Sequence, residues 1–177
     1  MTAATSKGTL ITNLEATPFV QGVRGQTGNG LKVAYVTEEI ATTAIDEQND
    51  IKLLLPLPSH AKLLSLVLFN DDLDSNGSPA LAVNVGGYYG NDVTGQTSGT
   101  AIDVDNIATA ITTLQAANTT GVELLFEAND IANIGKPLWE VLGLTADCGG
   151  TIYIGWKVST AAATAAAGTV TLRALYI

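Results

Sequence analysis

Residues 51–90, IKLLLPLPSHAKLLSLVLFNDDLDSNGSPALAVNVGGYYG, constrain the fold more than any other stretch of this chain. A strand-like run from Ala61 to Asn70 gives way to the polar turn DDLDSNGSP, and a second strand-like run follows from Ala80 to Tyr89. Short apolar runs bounded by Asp, Asn, Ser, Gly and Pro are the signature of antiparallel β structure. In the first run Leu64, Leu66 and Leu68 fall on one face and Leu63, Val67 and Phe69 on the other, which predicts a strand covered on both sides. In the second, Leu81, Val83 and Val85 form the inner face opposite Ala80, Ala82 and Asn84. Gly86 and Gly87 leave room there for a bulge or for the close approach of another chain.

The same alternation recurs elsewhere. Leu31, Val33 and Tyr35 alternate with Lys32 and Ala34 as in a half-buried strand. Ile51, Leu53 and Leu55 do likewise, and Pro56 and Pro58 are expected to end that strand. Val122, Leu124 and Phe126 predict another strand against Glu123 and Glu127. At the C-terminus Ile152, Ile154, Trp156 and Val158 share a face opposite Thr151, Tyr153 and Lys157. With Val170, Leu172, Ala174 and Tyr176 they predict a hairpin, joined by an Ala-rich connection, Ser159–Gly168, too short for a stable helix. Two short helices are expected. Asp103 or Asp105 would cap one in which Val104, Ile107, Ala108, Ile111 and Leu114 recur at helical spacing. Pro137 would open and Gly143 close the other, Leu138–Leu142. Roughly seven strands and one or two short helices predict an all-β (mainly β) protein, an antiparallel β-sandwich or, in the widest sense, jelly-roll.

At 177 residues the chain suits one domain with an arm, residues 31–177 as the sandwich and residues 1–30 as an extended N-terminal segment. That segment is rich in Thr and Gly and cannot build a core alone. It is either a disordered tail or an arm whose apolar islands, Leu10-Ile11 and Phe19-Val20, dock on a neighbour by strand addition. The net charge of −9 and the thin spread of eight cations argue against nucleic acid as a partner. No run approaches the ~18 apolar residues of a membrane span, and the start lacks a signal peptide's layout. The expectation is a protein soluble in the cell that makes it.

Candidate chemistry is sparse. Asp72-Leu73-Asp74-Ser75-Asn76-Gly77 fits the opening of a calcium loop, but its twelfth position is Val83 instead of the bidentate Glu. The same residues are what a strand-to-strand turn prefers. Ser59 and His60 are adjacent on a predicted strand, so they point to opposite faces and do not form a nucleophile–base pair. Cys148, the single cysteine, sits beside Gly149-Gly150 and reads as a small buried residue. Glu38, Glu39, Glu123, Glu127 and Glu140 offer carboxylate pairs only in the sense that an acidic chain must. The glycines of QGVRGQTGNG lack the GK[ST] of a phosphate loop. Trp139 reads as core, whereas Tyr88-Tyr89, beside two glycines, is the better candidate for a contact surface. No catalytic, cofactor or metal site is assigned.

LPLPSHAKLLSLVLFNDDLDS, PALAVNVGGYYG, GTAIDVDNIATA and the stretch from FEANDIANIGKPLWEVLGL to GTVTLRALYI resemble, in order and spacing, small virion proteins of tailed bacteriophages, notably those of marine and cyanobacterial hosts. The likeness covers residues 50–177 and is similar to the capsid decoration (cement) type. It implies a non-enzymatic β-sandwich or jelly-roll subunit, made in the host cytoplasm and bound outside the major capsid protein shell of the virion. It also implies a homotrimer that bridges capsomers, with no cofactor, nucleic acid or membrane involved. The arm residues Leu10, Ile11, Phe19 and Val20 would then touch capsid protein or a neighbouring subunit. Two alternatives come from other classes: a host-surface or carbohydrate-binding module of a tail or head fibre, using Tyr88 and Tyr89, and a glycoside hydrolase.

Overall fold

The computed structural model describes residues 30–177. Leu10, Ile11, Phe19 and Val20, on which the expected arm contact rests, lie outside the described residues. Residues Lys32–Tyr176 form one compact unit. Its strands are β1 (Lys32–Ile40), β2 (Ile51–Pro58), β3 (Leu63–Asn70), β4 (Ala82–Tyr89), β5 (Ala101–Ile111), β6 (Asn118–Glu123), β7 (Thr151–Thr160) and β8 (Gly168–Tyr176), with one short α-helix, α1 (Leu138–Val141). They form two four-stranded antiparallel sheets, ordered β1-β8-β3-β6 and β2-β7-β4-β5. First pairs with last, second with seventh, third with sixth and fourth with fifth. The chain is thus wound like one long antiparallel hairpin rolled into two layers, a β-sandwich as its alternation predicts.

The core lies between the sheets. Leu66, Leu68, Val170, Leu172 and Ala174 come from one layer, and Val83, Val85, Ile152, Ile154, Trp156 and Val158 from the other, all buried. Each fully buried aliphatic side chain contributes about 1.5–3 kcal/mol relative to exposure, so these faces dominate the folding free energy. The inner faces expected of β4, β7 and β8 are the ones observed. Helix α1 begins after Pro137 and stops before Gly143, whose φ of 79° suits a residue without a Cβ.

Several expectations are corrected. The C-terminal strands are not a hairpin: β7 and β8 lie in opposite sheets, as do β3 and β4. Their apolar faces meet across the core instead of running edge to edge. Residues 103–114 are not a helix, since most of them belong to β5. That strand carries more residues than its partner, so two steps on β4, Val85 to Gly87, face five on β5, Ala108 to Asp103. Bulges of this kind break the period of two and bring Ile107, Ala108 and Ile111 inward at what reads as helical spacing. The bulge near Thr109 and Ala110 is held by side chains. Glu127 accepts the Thr109 N–H, and Asn84 Oδ1 accepts the Ala110 N–H at 2.9 Å, with Ala110 at φ 49°.

Proline does not end β2, which runs through Pro58. As the edge of its sheet, β2 tolerates residues that donate no ladder bond. The strand near Val122 ends at Glu123, after which Leu124 and Leu125 both enter the core and Phe126 is partly exposed. Glu123 forces this departure, accepting N–H groups from Leu66 (2.7 Å) and Leu125 (3.1 Å). Finally, β1 forms where expected but with its faces exchanged. Ala34, Val36 and Ile40 face the core, while Val33 and Tyr35 are 58% and 70% exposed.

Candidate functional site

The polar turn after β3 is a structural joint. Asp74 is fully buried, and four backbone N–H groups converge on its carboxylate. Oδ2 accepts from Ala80 (2.7 Å), Leu81 (3.0 Å) and Ala163 (2.9 Å), and Oδ1 accepts from Thr164 (2.8 Å). Burial alone would raise its pKa, but these four donors together hold it well below the usual carboxylate range. The carboxylate ties the β3–β4 crossing to the β7–β8 crossing, two of the passages from sheet to sheet. Its lone pairs are committed to amides. Asp72 turns instead to the Asp74 N–H (3.0 Å), and Asn76 Oδ1 to the Ser78 N–H (2.9 Å). The geometry is that of a cross-linked turn, the reading that competes with calcium in the sequence.

Of the other singled-out residues, Ser59, His60 and Cys148 are neighbours around Asp147, and the rest are scattered. Ser59 is buried and His60 is exposed, and both lie in the turn after β2 instead of on a strand as expected. Cys148 is partly buried, and burial followed by the Asp147 charge pushes its thiol up, away from the reactive thiolate. Trp139 packs against the core. The glutamates are separately engaged: Glu38 with Lys52 (3.4 Å), Glu140 with Lys136 (3.4 Å), Glu39 with the Thr169 hydroxyl (3.0 Å), and Glu123 and Glu127 with backbone amides. Asp103 and Asp105, expected as helix caps, lie together on β5, where hydrogen bonding with Asp103 and burial push the Asp105 carboxyl up.

The tyrosine pair is split. Tyr88 is fully buried, and burial raises its phenol to about 12. Tyr89 alone lines an open groove of about 250 Å³ with Val93, Gln96 and Leu144. The cause lies in two glycines that face each other across β4 and β7, Gly86 and Gly155. A Cβ on Gly86 would strike the backbone of Asp103 and Val104, and one on Gly155 that of Lys52 and Leu53. β5 and β2 therefore fold closely over this sheet's outer face. Of the two uses expected for Gly86 and Gly87, a bulge or the close approach of another chain, the bulge is observed, and β5 of the same chain fills the room at Gly86.

Among the described residues the opposite sheet is open on its outer face, so β3 is not covered on both sides as expected. Val33 and Tyr35 of β1 stand beside Leu175 and Arg173 of β8, and next to those come Ser65 and Val67 of β3. Arg173 lies 5.4 Å from the Phe69 ring. A second group of exposed apolar side chains, Phe126, Ile131 and Ile134, lies in the loop that joins β6 to α1, where Phe126 and Ile134 line a small dimple with Leu63 and Val141. Neither is visible in the sequence. A period of two identifies two faces without saying which is inward, and the second group has no period at all.

No protein-family model matches the chain, and no curated protein matches it. Solved structures do. The fold is similar to a chain in the capsid of Ralstonia phage GP4, with 22% identity and a TM-score of 0.58, covering 89% of this chain and 88% of that one. It is also similar to a chain in the capsid asymmetric unit of cyanophage Pam1, with 23% identity and a TM-score of 0.53, covering 88% and 87%. The likeness is one of fold.

Proposed function

We propose that this chain is a structural component of a phage virion, a capsid decoration subunit that binds outside the major capsid protein shell and stabilises it by bridging capsomers. The observation that carries this reading is the extent of the fold likeness. Chains from two phage capsids match nearly the whole of this one and nearly the whole of themselves. The rolled-hairpin winding adds support, because it is the jelly-roll arrangement that recurs in viral capsid domains. A bridging subunit must carry load without unfolding, and a sandwich whose crossings are bolted by a buried carboxylate suits that task. The net charge of −9 suits an outer position, away from packaged DNA.

On this reading the mechanism is adhesion. A specific interface buries about 1,600 Å² in total, and a homotrimer that makes several such contacts gains avidity without new chemistry. A carbohydrate-binding module shares the jelly-roll winding, but the aromatic pair that it would use is broken by the burial of Tyr88. The test is to add purified chain to phage shells that lack it and to measure the temperature at which they release DNA. Binding with a raised release temperature is expected. Chain that stays in the supernatant when the shells are sedimented contradicts the proposal.

A further inference from the structure

We infer that Asn76–Gly77 is a site of spontaneous covalent modification, where the asparagine closes on the next backbone nitrogen as a succinimide and reopens as isoaspartate. Asparagine is thermally labile because its carboxamide carbon is open to attack by the backbone nitrogen that follows it. Access and alignment govern the rate. Asn76–Gly77 is the one Asn-Gly pair wholly within residues 30–177, and Asn76, Gly77 and Ser78 are all exposed. Gly77 sets no side chain beside its own nitrogen, and a Cβ built on it would meet nothing within 4 Å. Its N–H donates to no group among the described residues, so no turn or ladder bond holds the nitrogen back.

The turn also positions the carboxamide. Asn76 Oδ1 accepts the Ser78 N–H at 2.9 Å, which folds the side chain over the Gly77 peptide unit and brings Cγ toward the attacking nitrogen. The same N–H points at the oxygen on which negative charge develops. Asn76 Nδ2 lies 2.9 Å from Thr164 Oγ1, a hydroxyl able to give a proton to the departing nitrogen. The reaction balances with water alone. The Gly77 nitrogen gives its proton to solvent base and bonds to Cγ, and the Cγ–Nδ2 bond breaks with release of ammonia. Water then opens the ring. Addition at Cγ leaves aspartate, and addition at the main-chain carbonyl leaves isoaspartate, with the backbone rerouted through Cβ and Cγ. The consequence falls on the joint at Asp74. Loss of ammonia removes the Asn76–Thr164 bond, which links the same two crossings. Isoaspartate also lengthens the backbone between Asp74 and the Ala80 and Leu81 amides that it accepts. The modified chain is a loosened form, made with age and without an enzyme.

The test is to hold the purified, folded full chain at mildly alkaline pH and warm temperature, following each asparagine by peptide mapping with mass spectrometry. Asn76 is expected to gain about 1 Da ahead of Asn70, Asn118 and every other asparagine of the described residues, with isoaspartate detected by enzymatic methylation. Asn29–Gly30, the other Asn-Gly pair of the sequence, falls in a different tryptic peptide. Gly77→Ala has open space for its methyl, so it should fold as wild type does and convert at a rate lower by about tenfold or more. Aged wild-type chain should unfold at a lower temperature than fresh chain, and aged Gly77→Ala should not. Asn76 that stays intact in the folded chain while it converts in urea overturns the inference, as does equal conversion in Gly77→Ala. Modified chain with an unchanged unfolding temperature contradicts the loosening of the joint. No capsid is present, so this result and the capsid-binding result stand or fall separately.

Discussion

Replacing Asp74 by Asn tests how the two crossings are joined. The substitution keeps the shape and removes the charge. Whichever way the amide turns, its –NH₂ points at a backbone N–H. In the better orientation Oδ1 meets Ala80, Leu81 and Ala163, and Thr164 N–H is left facing a donor. An unsatisfied buried amide costs about 1–3 kcal/mol, and three charge-assisted bonds become neutral ones at roughly 1 kcal/mol each. Relief from burying a charge offsets part of this, which leaves a net loss of about 2–4 kcal/mol. For a chain of this size that lowers Tm by roughly 5–15 °C. Asp72→Asn, two residues earlier in the same turn and exposed, should shift stability by less than about 1 kcal/mol. The pH dependence has a definite sign. The folded pKa of Asp74 lies below its unfolded value, so its stabilisation is present above about pH 4 and is lost as pH falls toward the folded value. Urea unfolding at pH 7 and in steps below pH 4 measures both effects. The Asp74→Asn variant should start lower and lose less on acidification. Equal stability of this variant and the wild-type chain at pH 7 would refute the reasoning.

Other consequences are simpler. Gly86→Ala drives a methyl into the Asp103–Val104 backbone and should cost about 1–3 kcal/mol in a urea titration, whereas Gly77→Ala, with nothing near its Cβ, should be within about 0.5 kcal/mol of wild type. Tyr88→Phe removes a buried hydroxyl that has no partner among the described residues and should leave Tm unchanged or raise it; a fall of several degrees would show that the hydroxyl is bonded after all. Cys148 should react with a thiol reagent at pH 8 more slowly than free cysteine and should speed up in urea, because burial disfavours its thiolate.

The legible parts of this fold are the regular central strands. Ile152, Ile154, Trp156 and Val158 alternate without interruption, and every one is buried. What the pattern cannot say is whether the next strand lies beside its predecessor or across the core from it. Both arrangements need the same alternation, so β7 and β8 read as a hairpin. β5 misleads because its bulges shift Ile107, Ala108 and Ile111 out of a period of two. β1 misleads because its bulkier face, Val33 and Tyr35, points outward, against the usual gradient of burial. Asp74 stands out in the sequence as a calcium-like turn residue, but its four amide donors come from two separate loops, Ala80 and Leu81 in its own and Ala163 and Thr164 in one about 90 residues further along the chain from Asp74. Local composition does not reveal such a convergence.

The most direct test of the capsid reading is a cryo-electron microscopy map of shells incubated with the purified chain. The account predicts ordered density for the sandwich over the joints between capsomers, on the outer surface. Density confined to the tail or fibres of intact virions, with bare capsomer joints, would contradict it.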